Sequence, residues 1–408
     1  MMAPAPAQVR AGNRIAPLAF VVRFGLVSAL ADVVYEGARS IIGPYLGSLG
    51  ATAAVVGVVT GVGEATALVL RLFTGRFADR TGRPWPQTIA GYALTVVCVP
   101  LLAVTGGLAT AGLAYNGERL GKAVRTPARD MMLAHASAKM GRGRAFGLHE
   151  AIDQTGALVG PLLIAAAIAL GAGYRIAFAM LAVPGVAALV ILVRLRSSAP
   201  DPELFDPSAR LDDKKRLRLD KGLPRAFWQY AVFSATTMLG FSTWAVLAFH
   251  LTERRVLSAG VVPVLYAAAM GAAAVAAVVF GRIYDRVGLR GLVTLPALAA
   301  VVPFLSFATS TAAVVVGALV WGAAMGVHDS TMRAAVTDLV PAHRRGAGYG
   351  TFTAIYGLAW LAGAAVIGVL YEQSMLAVDA FVVVVQAVAL VALLPLLRPE
   401  HGAVTGRR

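Results

Sequence analysis

The sequence contains little cysteine and little charge. Among its 408 residues there is one cysteine, Cys98, and charged residues make up 14% of the chain, whereas hydrophobic residues make up 58%. A single cysteine excludes a disulfide within the chain and a cysteine-based metal site. The six histidines are scattered without close paired spacing, so we predict no soft-metal site either.

Signatures of soluble catalysis are also missing from the sequence. It contains no Gly-x-x-x-x-Gly-Lys-Ser/Thr phosphate loop, which argues against direct use of ATP. We therefore predict no enzymatic activity and no cofactor. The mean hydropathy of +0.73 is instead typical of a chain that lies in a lipid bilayer.

Long apolar stretches recur along nearly the whole chain. A helix needs roughly 20 apolar residues to cross the roughly 30 Å hydrocarbon layer of a bilayer. The sequence therefore predicts an all-α membrane protein with about twelve transmembrane helices, the first of which is retained, because the N-terminus lacks a signal-peptide pattern. The predicted helices are residues 17–46, 52–74, 86–106, 108–136, 145–171, 174–195, 225–252, 258–280, 290–308, 311–337, 344–371 and 376–397.

The basic residues give the chain a formal charge of +15, and their positions indicate topology rather than nucleic-acid binding. They cluster in alternate loops, and the intervening loops carry few, the exceptions being Arg175, Arg254 and Arg255. By the positive-inside rule, the basic loops and both termini are predicted to face the cytoplasm. The expected location is the plasma membrane, as the inner membrane of a bacterium, and the expected functional unit is a monomer.

A polar segment divides the chain into two similar halves. Residues 196–224 hold proline and charged runs and are predicted to be a cytoplasmic linker. It separates an N-terminal six-helix bundle, residues 1–195, from a C-terminal one, residues 225–408. The halves share motifs, since 75–84 is echoed by 281–290 and 141–151 by 344–354. Internal duplication in transporters places the binding site between the repeats, near the middle of the membrane.

The repeated loop carries the most specific motif. Its two copies are Gly75, Ala78, Asp79, Arg80, Gly82 and Arg83, and Gly281, Asp285, Arg286 and Gly288. They resemble the signature of the major facilitator superfamily, although Pro84 stands where that family usually has a basic residue. The resemblance implies a fold of two pseudo-symmetric six-helix bundles and secondary transport of a small molecule.

The residue types of this motif suggest a mechanical role. Gly75 and Gly82 permit a tight turn and close helix approach, and Asp79 can cap a helix start or pair with a basic residue on a neighbouring helix. We interpret the loop as an ionic latch that closes the cytoplasmic side. An inert basic loop that serves only topology is the alternative.

A second motif lies in the predicted fifth helix. Gly147, Gly156, Gly160 and Pro161 resemble part of the antiporter motif of proton-coupled drug exporters in that superfamily, but Ile164 and Ala165 replace two further glycines. The glycines form a small-xxx-small surface for helix approach, and the proline permits a bend. Ordinary packing of small residues remains the other interpretation.

Charged residues lie on single faces of three predicted helices. The sets are Asp32, Glu36 and Arg39; Glu64 and Arg71; and Glu118, Lys122, Arg125 and Arg129. An ion that faces hydrocarbon has neither a partner nor water, so the three faces should converge on a shared cavity. Buried structural ion pairs are the alternative. Burial favours a protonated carboxylic acid and a nearby cation favours an ionised one, which makes Asp32 our first choice for coupling to protons.

We divide these residues by their depth in the membrane. The predicted proton-coupling and substrate cavity consists of Asp32, Glu36, Arg39, Glu64 and Lys122. The predicted cytoplasmic gate consists of Asp79, Arg80, Arg83, Arg125, Arg129, Asp130, Asp153, Asp285, Arg286 and Arg333. The C-terminal half is less charged, and its aromatic residues Trp228, Trp244, Phe352 and Trp360 line a pocket wall or serve as packing and interface anchors.

The sequence thus predicts a proton-coupled exporter of a small organic compound, with protons and the bilayer as further partners. An importer of an anionic metabolite is a second possibility, indicated by Arg39, Lys122 and Arg125. A membrane sensor descended from a transporter is a third.

Overall fold

The computed structural model describes residues 13–138, 140–206, 222–341 and 344–397, without the side chains of Arg142, Met332 and Arg333. Its α-helices in the first half are α1 (Pro17–Ser48), α2 (Ala53–Val69), α3 (Arg71–Thr81), α4 (Pro84–Leu101), α5 (Leu108–Ser137), α6 (Arg142–Ala169), α7 (Tyr174–Met180) and α8 (Ala182–Ser198). In the second half they are α9 (Arg225–Leu239), α10 (Trp244–Glu253), α11 (Val261–Val287), α12 (Thr294–Ser306), α13 (Thr311–Leu339), α14 (Arg345–Gln373) and α15 (Met375–Leu393).

These helices confirm the predicted fold class. Ten continuous helical stretches in the described chain are long and apolar enough to span a membrane. One of them, Val261–Ser306, holds two helices, α11 and α12, joined by a 3-10 turn. Helix α5 has 30 residues and is long enough to span, but it carries charged residues along one face and is less apolar than these ten stretches. The described chain therefore accommodates twelve spans, six on each side of the linker.

The two motif loops are mostly helical, which corrects the predicted boundaries. Gly75 lies inside α3, and α11 continues past Gly281 to Val287. Both helices end at a glycine with a positive φ, 57° at Gly82 and 58° at Gly288, a conformation that favours glycine. The tight turn was correctly assigned to Gly82 but wrongly to Gly75. The equivalent ends support the internal repeat.

The successive helices define two ends of the bundle. We call the end that carries Gly82, Gly288 and residues 199–206 the linker end, and the end that carries Gly50 and Arg255 the far end. At the linker end, Phe205 packs against Phe20 with ring centroids 5.3 Å apart. Since Phe205 is buried in this contact, the first part of the predicted linker belongs to the N-terminal bundle.

Glycines bring α1 and α6 into backbone contact. A Cβ atom added to Gly156 would lie 2.0 Å from the carbonyl oxygen of Ala29, and one added to Gly160 would lie 2.4 Å from that of Val33. A similar approach occurs in the second half, where a Cβ on Gly363 of α14 would lie 2.3 Å from the oxygen of Leu239. Only glycine fits such positions, so they fix the spacing of these helix pairs.

The two halves also meet through glycines. A Cβ on Gly57 of α2 would lie 2.2 Å from the oxygen of Ala364 in α14, and one on Gly43 of α1 would lie 2.0 Å from that of Ala245 in α10. Gly43 lies two turns beyond Glu36 toward the far end of α1, and Ala245 lies at the start of α10, which runs on to Glu253 at the far end. The contact between α1 and α10 therefore closes the interface on the far side of the mid-membrane residues.

We predict that Gly156→Ala lowers thermal stability in detergent whereas Gly147→Ala does not. The first substitution forces a methyl group against the Ala29 carbonyl, a kind of overpacking that typically costs about 1–3 kcal/mol. Gly147 lies in the same helix and its added Cβ meets nothing within 4 Å, so helix propensity favours alanine there by up to about 1 kcal/mol. Equal melting temperatures for the two variants would contradict the assigned contact.

Candidate functional site

A buried network of charges begins on α1 and α2. Glu36 and Arg39 of α1 lie one turn apart, with 3.8 Å between the carboxylate and the guanidinium. Arg39 also approaches Glu64 of α2 at 3.4 Å and donates a hydrogen bond of 2.9 Å to the hydroxyl of Tyr35. One cation thus compensates two carboxylates from different helices.

The network continues through α5. Arg119 lies 3.2 Å from Glu64 and 2.5 Å from Glu118, and Arg125 lies 3.8 Å from Glu118. Arg125 also donates a hydrogen bond to Thr95 of α4. The side chains of Arg119 and Glu118 are only 1% and 2% exposed. Ions this deeply buried require partners, and here each ion pairs with its neighbours.

Tyr35 lies at the centre of the cations. The Lys122 ammonium is 3.8 Å from the centroid of its ring, and the Arg119 guanidinium is 4.0 Å from it. Arg39 is more distant, at 5.9 Å. An aromatic face attracts cations at these distances, so the ring helps to hold three like charges in one region.

Asp32 and Lys122 differ from the other charges of this region. Both are partly exposed, and among the described side chains neither makes an ion pair. Asp32 lies one turn before Glu36 on α1, and Lys122 one turn before Arg125 on α5. The cluster therefore offers one acid and one base that are not already neutralised by a partner.

Aromatic side chains of the second half face this network. Trp244 of α10 packs on Tyr266 of α11 and Trp321 of α13, with centroids 4.8 and 5.3 Å apart. Tyr356 of α14 packs on Trp360, 5.9 Å away, and on His328, 5.6 Å away. We call these residues, together with Phe241 and Phe352, the aromatic wall. Trp244, Phe352 and Trp360 were predicted for such a wall, whereas Trp228, also predicted for it, is 46% exposed.

Three contacts join the aromatic wall to the first half, two of them at residues of the charge network. The Tyr266 hydroxyl donates a hydrogen bond to Glu36, and the Arg39 guanidinium lies 5.8 Å from the ring centroid of Trp360. The Trp244 indole donates to the Ser40 carbonyl at 3.2 Å. In this part of the interface, the charged surface of the first half therefore contacts the aromatic surface of the second.

The predicted cavity residues come together, but the predicted gate residues do not all do so. Arg125 belongs to the network, and Arg129 pairs with Asp130 at 2.9 Å. The motif residues are exposed and make no ion pair in the described part of the chain; they are Asp79, Arg80, Arg83, Asp285 and Arg286. Asp79 lies in the last turn of α3, so it caps no helix start. The side chain of Arg333 is outside the described part.

Sequence reasoning missed three members of the site. Arg119 lies one residue from Glu118 and so falls outside the spacings of three and four that define a stripe. Tyr35 and Tyr266 were missed because only charged residues were counted in the first half, and because α11 reads as small-residue packing. The signals in the sequence were Tyr35 next to Glu36, and Tyr266 in the apolar first part of α11.

Comparisons with known proteins agree with this architecture. A family model described as Major Facilitator Superfamily matches residues 24–364 and 232–408. An uncharacterized protein of Mycobacterium tuberculosis is 50% identical over 375 residues, covering 92% of this chain and 91% of the relative. An uncharacterized MFS-type transporter of Methanocaldococcus jannaschii is 24% identical over 365 residues, covering 87% and 89%.

Solved structures share the fold at low sequence identity. A bacterial homolog of the human lysosomal transporter Spinster, inward-facing and unoccupied, has a TM-score of 0.73 and 16% identity over 92% of this chain and 97% of its own. A POT family transporter in complex with 5-aminolevulinic acid has a TM-score of 0.74 and 12% identity over 94% and 96%.

We predict that Arg119→Met destabilises the protein strongly. Removing one partner of a buried ion pair typically costs about 3–5 kcal/mol, because the opposing charge stays buried without compensation. Arg80→Met, at an exposed position without an ion pair, should change stability by no more than about 0.5 kcal/mol. Chemical denaturation in detergent micelles measures both, and a similar small loss in both variants would show that the network contributes little to the fold.

Proposed function

Because the chain belongs to the major facilitator superfamily, we propose that it is a proton-coupled transporter that exports a small organic compound by alternating access. The observation that carries the proposal is the contact between the buried charge network of the first half and the aromatic wall of the second. Transporters built from repeats hold their substrate at such an interface.

The geometry supports a role for Asp32 in coupling. It is the carboxylate at mid-helix in α1 that has no ion-pair partner in the described chain, whereas Glu36, Glu64 and Glu118 each contact an arginine. A carboxylate without a fixed partner can exchange its proton for another ligand. Asp32 therefore remains the best candidate for the residue that is alternately protonated and charged.

The closed far end supports alternating access. Gly43 packs on Ala245, and Trp244 bonds to Ser40, on the far side of Glu36. In the proposed cycle these contacts separate while the linker end closes, and the substrate leaves at the far end. With the termini and linker in the cytoplasm, the far end faces the exterior of the cell.

An amphipathic solute suits a site with one charged and one aromatic surface. A transporter of similar fold was solved with 5-aminolevulinic acid, so a small charged solute is compatible with this architecture. Import of an anionic metabolite is the second candidate. The observation that favours it is Lys122, whose ammonium contacts the Tyr35 ring but no carboxylate of the described chain.

We expect Asp32→Asn to abolish proton coupling while the protein still folds. Asparagine is nearly isosteric with aspartate but cannot release a proton at physiological pH. The measurement uses proteoliposomes with an acidic interior and a fluorescent pH dye, to which candidate compounds are added outside. Wild type should dissipate the gradient with a substrate, Asp32→Asn should not, and Glu253→Gln, an exposed acid at the far end, should behave as wild type.

The outcomes separate the possible functions. Retained coupling in Asp32→Asn would remove this residue from the mechanism. A second outcome is that protons move only when an anionic substrate is supplied on the side from which both enter together. That result would establish the importer. Binding of a compound without any flux would establish a sensor and overturn transport.

Tyr266→Phe should weaken the contact between the halves. A hydrogen bond to a charged group contributes about 1.5–3 kcal/mol, which corresponds to a population shift of about 10-fold or more. Because Cys98 is the only cysteine, a Cys98→Ser background allows labelling of Ser40→Cys at the interface. Its maleimide labelling should accelerate in Tyr266→Phe. The control is Tyr371→Phe, which removes a buried hydrogen bond of 2.9 Å to His250 inside the second half; equal acceleration there would contradict the assignment.

A further inference from the structure

Helices α1 and α6 run parallel and are locked in register. Gly25 faces Ile152, Ala29 faces Gly156, and Val33 faces Gly160, so each step of four residues on α1 is matched by four on α6. This register packs the two helices together. It also determines which polar side chains on the flanks of the two helices face one another.

A hydrogen bond fixes the first flanking pair. The Ser28 hydroxyl lies 3.0 Å from Nε2 of His149, and 2.9 Å from the hydroxyl of Tyr92 on α4. Advancing one turn along each parallel helix leads from Ser28 to Asp32 and from His149 to Asp153. The register therefore places Asp32 and Asp153 opposite one another.

One oxygen of the partly buried Asp153 carboxylate, Oδ1, lacks a hydrogen-bond partner in the described chain. This atom is buried, and the residue makes none of the ion pairs there. A buried carboxylate without a partner is costly when ionised. A second carboxylate nearby raises that cost, so two facing acids are most stable when one of them is protonated.

We infer that Asp32 and Asp153 form a two-carboxylate site that holds one proton between α1 and α6. The inference rests on the proposed function and deepens it, because the proton exchanged in the cycle then belongs to a pair of acids rather than to Asp32 alone. Asp153 was predicted to belong to the cytoplasmic gate, and this assignment moves it into the coupling site.

The surroundings of the pair are mixed in charge. The groups that face it are Glu36 on α1, Tyr92 on α4, Lys122, Arg125 and Arg129 on α5, and His149 and Glu150 on α6. Arg125 contacts Glu118, and Arg129 contacts Asp130, so Lys122 is the base without a carboxylate partner. With one shared proton, the two acids and Lys122 carry no net charge. A site of zero net charge can remain in a low-dielectric interior between turnovers.

Infrared spectroscopy tests the site without any substrate, so its outcome is independent of transport direction. A protonated carboxylic acid has a carbonyl band that ionised carboxylates lack, and that shifts in heavy water. Purified wild type should show this band at pH 7 and lose it on alkalinisation. Asp32→Asn and Asp153→Asn should each lose the band at pH 7, because the remaining acid no longer faces a like charge.

Controls keep the test decisive if one variant folds poorly. Asp153→Glu should retain the band, Lys122→Met should retain it to higher pH, and Glu253→Gln should match wild type. A wild-type band that survives in Asp153→Asn, or no band in wild type at pH 7, would overturn the inference. A band that appears only when sodium is replaced by choline would overturn it as well, since the ligand would then be a metal cation.

Discussion

The cost of a charge in a medium that cannot solvate it is the constraint on which the rest of this structure depends. Glu64 and Arg119 lie near the centre of their helices, where an unpaired ion costs on the order of 3 kcal/mol even on lenient scales. The chain meets this constraint by sharing ions. Arg39 and Arg119 both contact Glu64, and Arg119 also contacts Glu118, so no single pair carries the network.

Ions can be shared among helices only if the helices approach closely, and the glycines permit this approach. A carboxylate on α2 reaches guanidinium groups on α1 and α5 only if the helix axes are held near one another. A Cβ on Gly63 of α2 would come within 2.7 Å of Tyr115 and of Arg119, so the lack of a side chain beside Glu64 makes room for its partner. Packing and electrostatics in this bundle therefore depend on the same small residues.

The fold could be predicted largely from hydropathy, because spanning a bilayer imposes a length and a composition that a sequence displays directly. Helix ends were harder. Gly75 belongs to a helix that continues beyond the apolar region, and nothing in its local sequence distinguishes it from Gly82. The charged stripes on α1 and α5 followed from helical periodicity. The roles of Arg119 and Tyr266 did not follow from periodicity, because both residues contact carboxylates that are distant in sequence.

The division of chemistry between the halves bears on how a bound proton alters the conformation. Most of the buried charge lies in the first half and most of the aromatic surface in the second, and specific polar contacts join the two halves. Glu36 accepts a hydrogen bond from Tyr266 across the interface, and the Arg39 guanidinium lies 3.8 Å from the same carboxylate. Asp32 lies one turn away on the same helix, so gaining or losing a proton there changes the charge beside this bond. A ligand shifts an equilibrium only by its differential affinity for the two states. Because Asp32 lies beside the contact that joins the halves, its affinity for a proton differs between the states in which this contact is formed and broken.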